Sequence, residues 1–304
     1  MSARRIFARP ARFAGIAPYL WMLLFFLVPF GFVLKIALSQ PAIALPPYTP
    51  VFDLTQGWAA TKDAFALLSL DNFKLLFSDS LYVLSYLRSL VVALVSTAML
   101  LVIGYPIAYG MARLPQRWQR VAMMLVIVPF WTSFLIRIYA WINILQHDGL
   151  LNKILLVLHI VSAPLVWLST DTAMYLGIVY SYLPFMILPL YATLTKIDPA
   201  LLEAAGDLGA SRREAFWRVT FPLSLPGAAA GALLCFIPIV GEFVIPDLLA
   251  GSDSFMIGQT LWLEFFTNKD WPVASAVAVV LLCLLVVPIV VYQHLQAREL
   301  ERGR

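Results

Sequence analysis

Charge is what this sequence has least of. Asp, Glu, Lys and Arg make up 12% of 304 residues, about half the roughly 25% of a soluble protein, which argues against a soluble core at the outset. Cysteine is nearly absent as well. Cys235 and Cys283 both fall inside apolar runs, where a thiol behaves as a small hydrophobe, so neither a disulfide framework nor a metal site is indicated. The three histidines, His147, His159 and His294, stand far apart without partners at ligand spacing. There is no Gly-x4-Gly-Lys-Ser/Thr phosphate loop, no His-Glu-x2-His pair and no Gly-x-Ser-x-Gly elbow, so no catalytic residue, bound cofactor or metal is expected on this chain. Uphill movement of anything would need energy from elsewhere.

What remains is apolar surface, 62% of the residues, gathered into runs of about 20, the length that crosses roughly 30 Å of hydrocarbon as a helix. Six runs are predicted to span a membrane: 16–38, 90–112, 121–145, 173–194, 225–248 and 273–292. The fold expected is an all-α integral membrane protein, one transmembrane domain over 1–304 with an outer loop at 39–89. A shorter stretch, 155–168, is interrupted by His159 and Pro164 and reads as re-entrant or interfacial. The first run has 23 residues against the roughly 7–15 of a signal peptide. It is therefore read as a span, although Ala42-Ile43-Ala44 has the look of a cleavage site.

Orientation follows from Lys and Arg, which accumulate on the cytoplasmic side. Arg4, Arg5, Arg9, Arg12, Arg113, Arg117, Arg120, Lys196, Arg212, Arg213, Arg218, Arg298, Arg302 and Arg304 put 14 on one side against Lys62, Lys74, Lys153 and Lys269 on the other. Both termini and the loop 195–224 are thus expected in the cytoplasm. The outer loops carry ten acids, Asp53, Asp63, Asp71, Asp79, Asp148, Asp171, Asp247, Asp253, Glu264 and Asp270. Such a mouth concentrates cations, and the same bias also follows from topology alone. The basic residues are dispersed, so no nucleic-acid patch is indicated.

The loop 195–224 reads as a helix-turn-helix. Asp198 and Pro199 suit an N-cap and first helical position, Gly209 a C-cap, and Ser211 with Glu214 a capping box for a second helix ending before Pro222. An amphipathic element lying on the membrane would share these features. Glu203-Ala204-Ala205, three residues, Gly209, nine residues, then Val219-Thr220-Phe221-Pro222 resembles the EAA loop, EAA-x3-G-x9-I-x-L-P, of permease subunits in binding-protein-dependent ATP-binding-cassette importers. Val219 stands for the usual Ile and Phe221 for the usual Leu. The resemblance implies a type I importer permease fold in a bacterial inner membrane, with a cytoplasmic coupling helix that docks on an ATPase subunit present in two copies. It also implies a second homologous permease and a periplasmic binding protein, with ATP and Mg on the ATPase. Glu203, Ala204, Ala205, Gly206, Gly209 and Pro222 are the expected coupling residues.

Ionisable groups inside a membrane are costly and point to function. Glu242 lies between Pro238 and Pro246, which disturb the carbonyls of Leu234 and Glu242, and exposed carbonyls beside a carboxylate suit an ammonium group. Arg137 falls at similar depth, 16 residues beyond Val121 where Glu242 is 17 beyond Leu225. An ion pair holding the two runs together is the structural alternative. Phe130, Phe134, Arg137 and Trp141 share one helical face, and Tyr180 and Tyr182 occur in the fourth run. Tyr and Trp faces bind alkylammonium, and equally form interfacial belts. The expected substrate path comprises Glu242, Asp247, Trp131, Phe134, Tyr139, Trp141, Tyr180 and Tyr182. Ser133 to Trp141, Val240 to Leu249 and Asp270 to Ala276 resemble the polyamine branch of the family, most of all the first permease of putrescine importers, with spermidine-preferring permeases close behind. A secondary transporter would show paired repeats, and here the echo is limited to Val28-Pro29-Phe30 and Val128-Pro129-Phe130.

Overall fold

The computed structural model describes residues 16, 18–51, 62, 65–251 and 255–302, with side chains as far as residue 294. Arg4, Arg5, Arg9, Arg12, Asp53, Asp63, Asp253 and Arg304 lie outside the described residues, as do the side chains of Arg298 and Arg302. Helices dominate. In chain order they are α1 (Pro18–Ala37), α2 (Asp71–Ser78), α3 (Ser80–Arg113), α4 (Gln116–Ile127), α5 (Phe134–Leu145), α6 (Leu150–Val157) and α7 (Asp171–Leu194). These are followed by α8 (Pro199–Asp207), α9 (Arg212–Ala215), α10 (Phe221–Val240), α11 (Val244–Leu249), α12 (Ile257–Trp262) and α13 (Trp271–Arg302). Two short strands, β1 (Gln40–Pro41) and β2 (Tyr48–Thr49), pair antiparallel with Gln40 opposite Thr49.

Contacts group the chain into two compact units, where the sequence reads as one domain: Met1–Val83 with Leu261–Cys283, and Leu84–Thr260 with Leu284–Arg304. In the first, Tyr19 through Leu27 of α1 are all exposed, as befits a helix apolar all round whose surroundings are lipid or protein rather than water. The amide of the buried Asn72 ties α2 to the end of α1, donating to the carbonyls of Ala37 and Ser39 at 2.8 and 2.7 Å. The Tyr82 hydroxyl donates to Glu264 at 2.8 Å.

The second unit is built on α7 and α10, the most extensively packed pair among the described elements. In lipid there is no hydrophobic drive to bring helices together, so close packing and interhelical hydrogen bonds must do it. Gly227 and Gly231 leave the α10 side of that seam low enough for Thr193 and Met186 to fill it. Tyr105 and Ser224 share a 2.7 Å hydroxyl bond between α3 and α10. Thr170 caps α7 by accepting from the Ala173 N–H at 3.2 Å, and Asp171 in its first turn meets Arg88 at 2.6 Å.

Three predicted boundaries change. The run 121–145 is not one straight helix: Gln116–Trp131 and Phe134–Val157 meet at 91°. Pro129 opens a tight turn at Val128–Trp131, and Thr132 and Ser133 are extended, so the helical ladder is interrupted there. The run 225–248 ends early, at Val240. The second loop helix does not stop before Pro222: α9 passes through a wide turn at Phe216–Thr220 straight into α10, and the looser turn accommodates a residue with no N–H to donate. Residues 155–168 leave α6 for irregular chain, which the buried Asn152 anchors by bonding Leu165 through both N–H and carbonyl and by accepting from the Trp167 indole.

Candidate functional site

The loop 195–224 is assembled from its own neighbours. Asp198 accepts from the Ala200 N–H at 2.9 Å, and Pro199 occupies the first helical turn, where its missing N–H costs nothing. At the other end of α8, Gly209 has φ +82°, the Ala210 N–H reaches the Ala205 carbonyl at 2.9 Å and the Gly209 N–H reaches Gly206 at 2.9 Å. That is a Schellman turn, which a side chain at Gly209 would strain. Ser211 and Glu214 form the reciprocal capping box, Glu214 N–H to the Ser211 hydroxyl at 3.3 Å and Ser211 N–H to the Glu214 carboxylate at 2.8 Å. Glu203, Ala204, Gly206, Gly209 and Pro222 are exposed and Ala205 is half-buried. Leu208, 89% exposed, sits with them as an apolar residue pointing away from the chain's own core. Cavities of about 270 and 370 Å³ lie behind α8 and α9, lined by Tyr109, Arg113, Leu202 and Thr220 among others.

The second constellation lies midway along α7. Tyr182 is halfway along the 24 residues of α7, a helix that rises about 36 Å. There α10 ends, Gly241 follows as its C-cap, and α11 begins at Val244. Glu242, 8% exposed, occupies the gap. Its Oε1 accepts from the N–H groups of Val244 and Ile245 at 3.1 and 3.4 Å, and its Oε2 from the Tyr182 hydroxyl at 2.5 Å. The next residue of that turn, Pro246, has no N–H to satisfy. The carboxylate therefore serves α11 as the anion that helix N-termini favour, with three donors on its two oxygens. Gly258 of α12 backs the break: a Cβ there would come within 2.4 Å of the Gly241 carbonyl oxygen and 2.7 Å of that of Glu242.

Arg137 lines a cavity with Tyr182, the partner of Glu242, but does not pair with the carboxylate. Among the described residues no ion pair joins it to Glu242. Its Cζ stands 4.7 Å over the Phe130 ring and 5.7 Å over Phe134, while Nε and Nη1 are buried without an acceptor among the described residues. Arg137 and Tyr182 line one cavity of about 430 Å³, walled by Phe130, Phe134, Ser181, Phe185, Leu234 and Pro238. Phe130 meets Phe185 edge-on at 5.4 Å, and Trp141 meets Tyr180 edge-on at 5.4 Å, so this face of α5 is turned toward α7. Trp131 (83% exposed), Tyr139 (53% exposed) and Asp247 point elsewhere. Ser181 and Phe185 were missed from sequence. Their signal was the spacing of Ser181, Tyr182 and Phe185 on one side of α7, which carries no charge to draw attention.

The chain that carries this capped loop and buried carboxylate is similar to known proteins. Residues 101–299 match the family model described as "binding-protein-dependent transport system inner membrane component". The spermidine/putrescine transport system permease protein PotB of Escherichia coli (strain K12) is 41% identical over 226 residues, covering 74% of this chain and 82% of that protein. Its counterpart in Salmonella typhimurium (strain SL1344) is 40% identical over 226 residues, 74% of this chain and 78% of that one. A bacterial ABC transporter involved in the import of alginate contains a chain of similar fold, 18% identical, with a TM-score of 0.68 over 95% of both chains. The chain belongs to the binding-protein-dependent transport system inner membrane components. It is a multi-pass permease of the type I ABC importer fold and not an enzyme.

Proposed function

We propose that this permease forms half of the path by which a polyamine crosses a bacterial inner membrane, putrescine being preferred. The observation that carries this is Glu242, a carboxylate held at a helix break in mid-membrane, in a chain 41% identical to a spermidine/putrescine permease. An ammonium group is the natural visitor to such a carboxylate, and Tyr182, Tyr180, Trp141 and Phe134 offer aromatic faces along the way. In this reading a second permease completes the path and a periplasmic binding protein delivers the polyamine. Two ATPase copies, which hold the ATP and Mg, drive it. One of them seats on α8 and the turn at Gly209, with Glu203 fixing its orientation. Both termini and the loop 195–224 face the cytoplasm, a reading supported by the 14 basic residues on that side.

A spermidine preference is the second reading, favoured by the name that the relatives share. Competition among putrescine, spermidine and a basic amino acid for uptake by the assembled complex decides between them. Inhibition by the amino acid alone would sink the polyamine reading, and uptake by proteoliposomes containing this chain alone would sink the ATP-driven one.

A further inference from the structure

A guanidinium beside a cation path is a contradiction in charge, and Arg137 has that position. It shares its cavity with Tyr182, the side chain that donates to Glu242. Burying Nε and Nη1 without acceptors is an arrangement that folding alone does not reward. A pair with Glu242 would relieve it, yet that carboxylate is taken up by Tyr182 and two backbone N–H groups. The guanidinium instead covers Phe130 and Phe134, the faces an alkylammonium would use. The Ser181 hydroxyl in the same cavity is also unpartnered.

We propose that Arg137 is a tethered competitor of the transported cation. It occupies the Phe130 and Phe134 faces and repels an ammonium group arriving at Glu242, which shortens the stay of the polyamine and makes Glu242 a transit station. Passage requires a site attractive enough to enter and weak enough to leave. A desolvated carboxylate flanked by open aromatic faces would fail the second requirement for a substrate carrying several positive charges, and one fixed positive charge restores it. This inference rests on the polyamine reading.

Binding and flux, measured separately, test it. Radiolabelled putrescine is titrated against the purified complex of both permeases and the ATPase without the soluble binding protein, and uptake into proteoliposomes is then measured with the binding protein present. Arg137→Gln is expected to raise putrescine affinity about tenfold or more, since like charges brought together cost at least that, and to slow uptake at saturating substrate. Arg137→Lys keeps the charge and stays near wild type in both, and adding Glu242→Gln removes the gain in affinity. Arg137→Met, apolar and of similar length, repeats the test should the amide fail to assemble. Unchanged affinity in a neutral variant overturns the proposal, and so does failure of both neutral variants to assemble, which would make Arg137 structural. A wild-type complex that moves neither putrescine nor spermidine overturns the polyamine reading and this inference with it. Normal wild-type uptake with unaltered affinity in Arg137→Gln overturns the inference alone.

Discussion

The capped loop 195–224 and the break at Glu242 solve the same problem, freed backbone groups at helix ends, by opposite means. In the loop each donor finds a partner within a few residues: Ala200 on Asp198, Glu214 on Ser211, Ala210 on Ala205. At the break the acceptor Glu242 is equally local, but its charge is completed by the hydroxyl of Tyr182, 60 residues away, and the backbone around it packs directly against Gly258 of a different helix. The loop is also exposed to water, whereas the break is buried. A device built locally in water can be moved or docked as a piece. One built from three helices in a dry place changes only when those helices move, which is what an alternating path needs.

That contrast can be broken from the buried side first. Gly258→Ala is expected to cost about 3 kcal/mol, the upper range for overpacking, because the atoms in the way are backbone carbonyls; thermal denaturation of the detergent-solubilised complex should show it. Tyr182→Phe should cost about 2 kcal/mol by leaving a buried carboxylate short of a donor. Uptake should fall with it while co-purification with the ATPase stays unchanged, and loss of that co-purification would mean the two regions are not separable. From the exposed side, Glu203→Ala should leave the melting temperature alone and lower substrate-stimulated ATP hydrolysis about tenfold, equivalent to roughly 1.4 kcal/mol. Ser211→Ala is the smallest change, about 1 kcal/mol of local stability, visible as faster amide exchange at 211–215 with uptake nearly intact.

The difference also explains what could be read in advance. The caps at Asp198, Gly209 and Ser211 follow from residue types a few positions apart, so their geometry was legible, and the EAA spacing built on them pointed to the family. Glu242 stood out because a charge inside an apolar run is conspicuous. Its partner was left open: Arg137 was one candidate, as the opposite charge at matching depth, and the structure gives the carboxylate a tyrosine and two N–H groups and leaves the guanidinium on Phe130 and Phe134. Hydropathy counts apolar residues and does not see direction, so it ran straight through the 91° bend at Thr132 and Ser133 and through the end of α10 at Val240.

By itself the sequence determined that this chain lives in a membrane, which charge scarcity and 20-residue apolar runs dictate through the cost of exposing either to the wrong solvent. It determined the capped loop as well, because those hydrogen bonds close within a few residues. Only the tertiary structure decided what surrounds Glu242, where α4 gives way to α5, and that Arg137 pairs with no carboxylate among the described residues. Those outcomes depend on which helix faces which, and in a bilayer that is settled by small differences in packing and hydrogen bonding between surfaces that are all apolar.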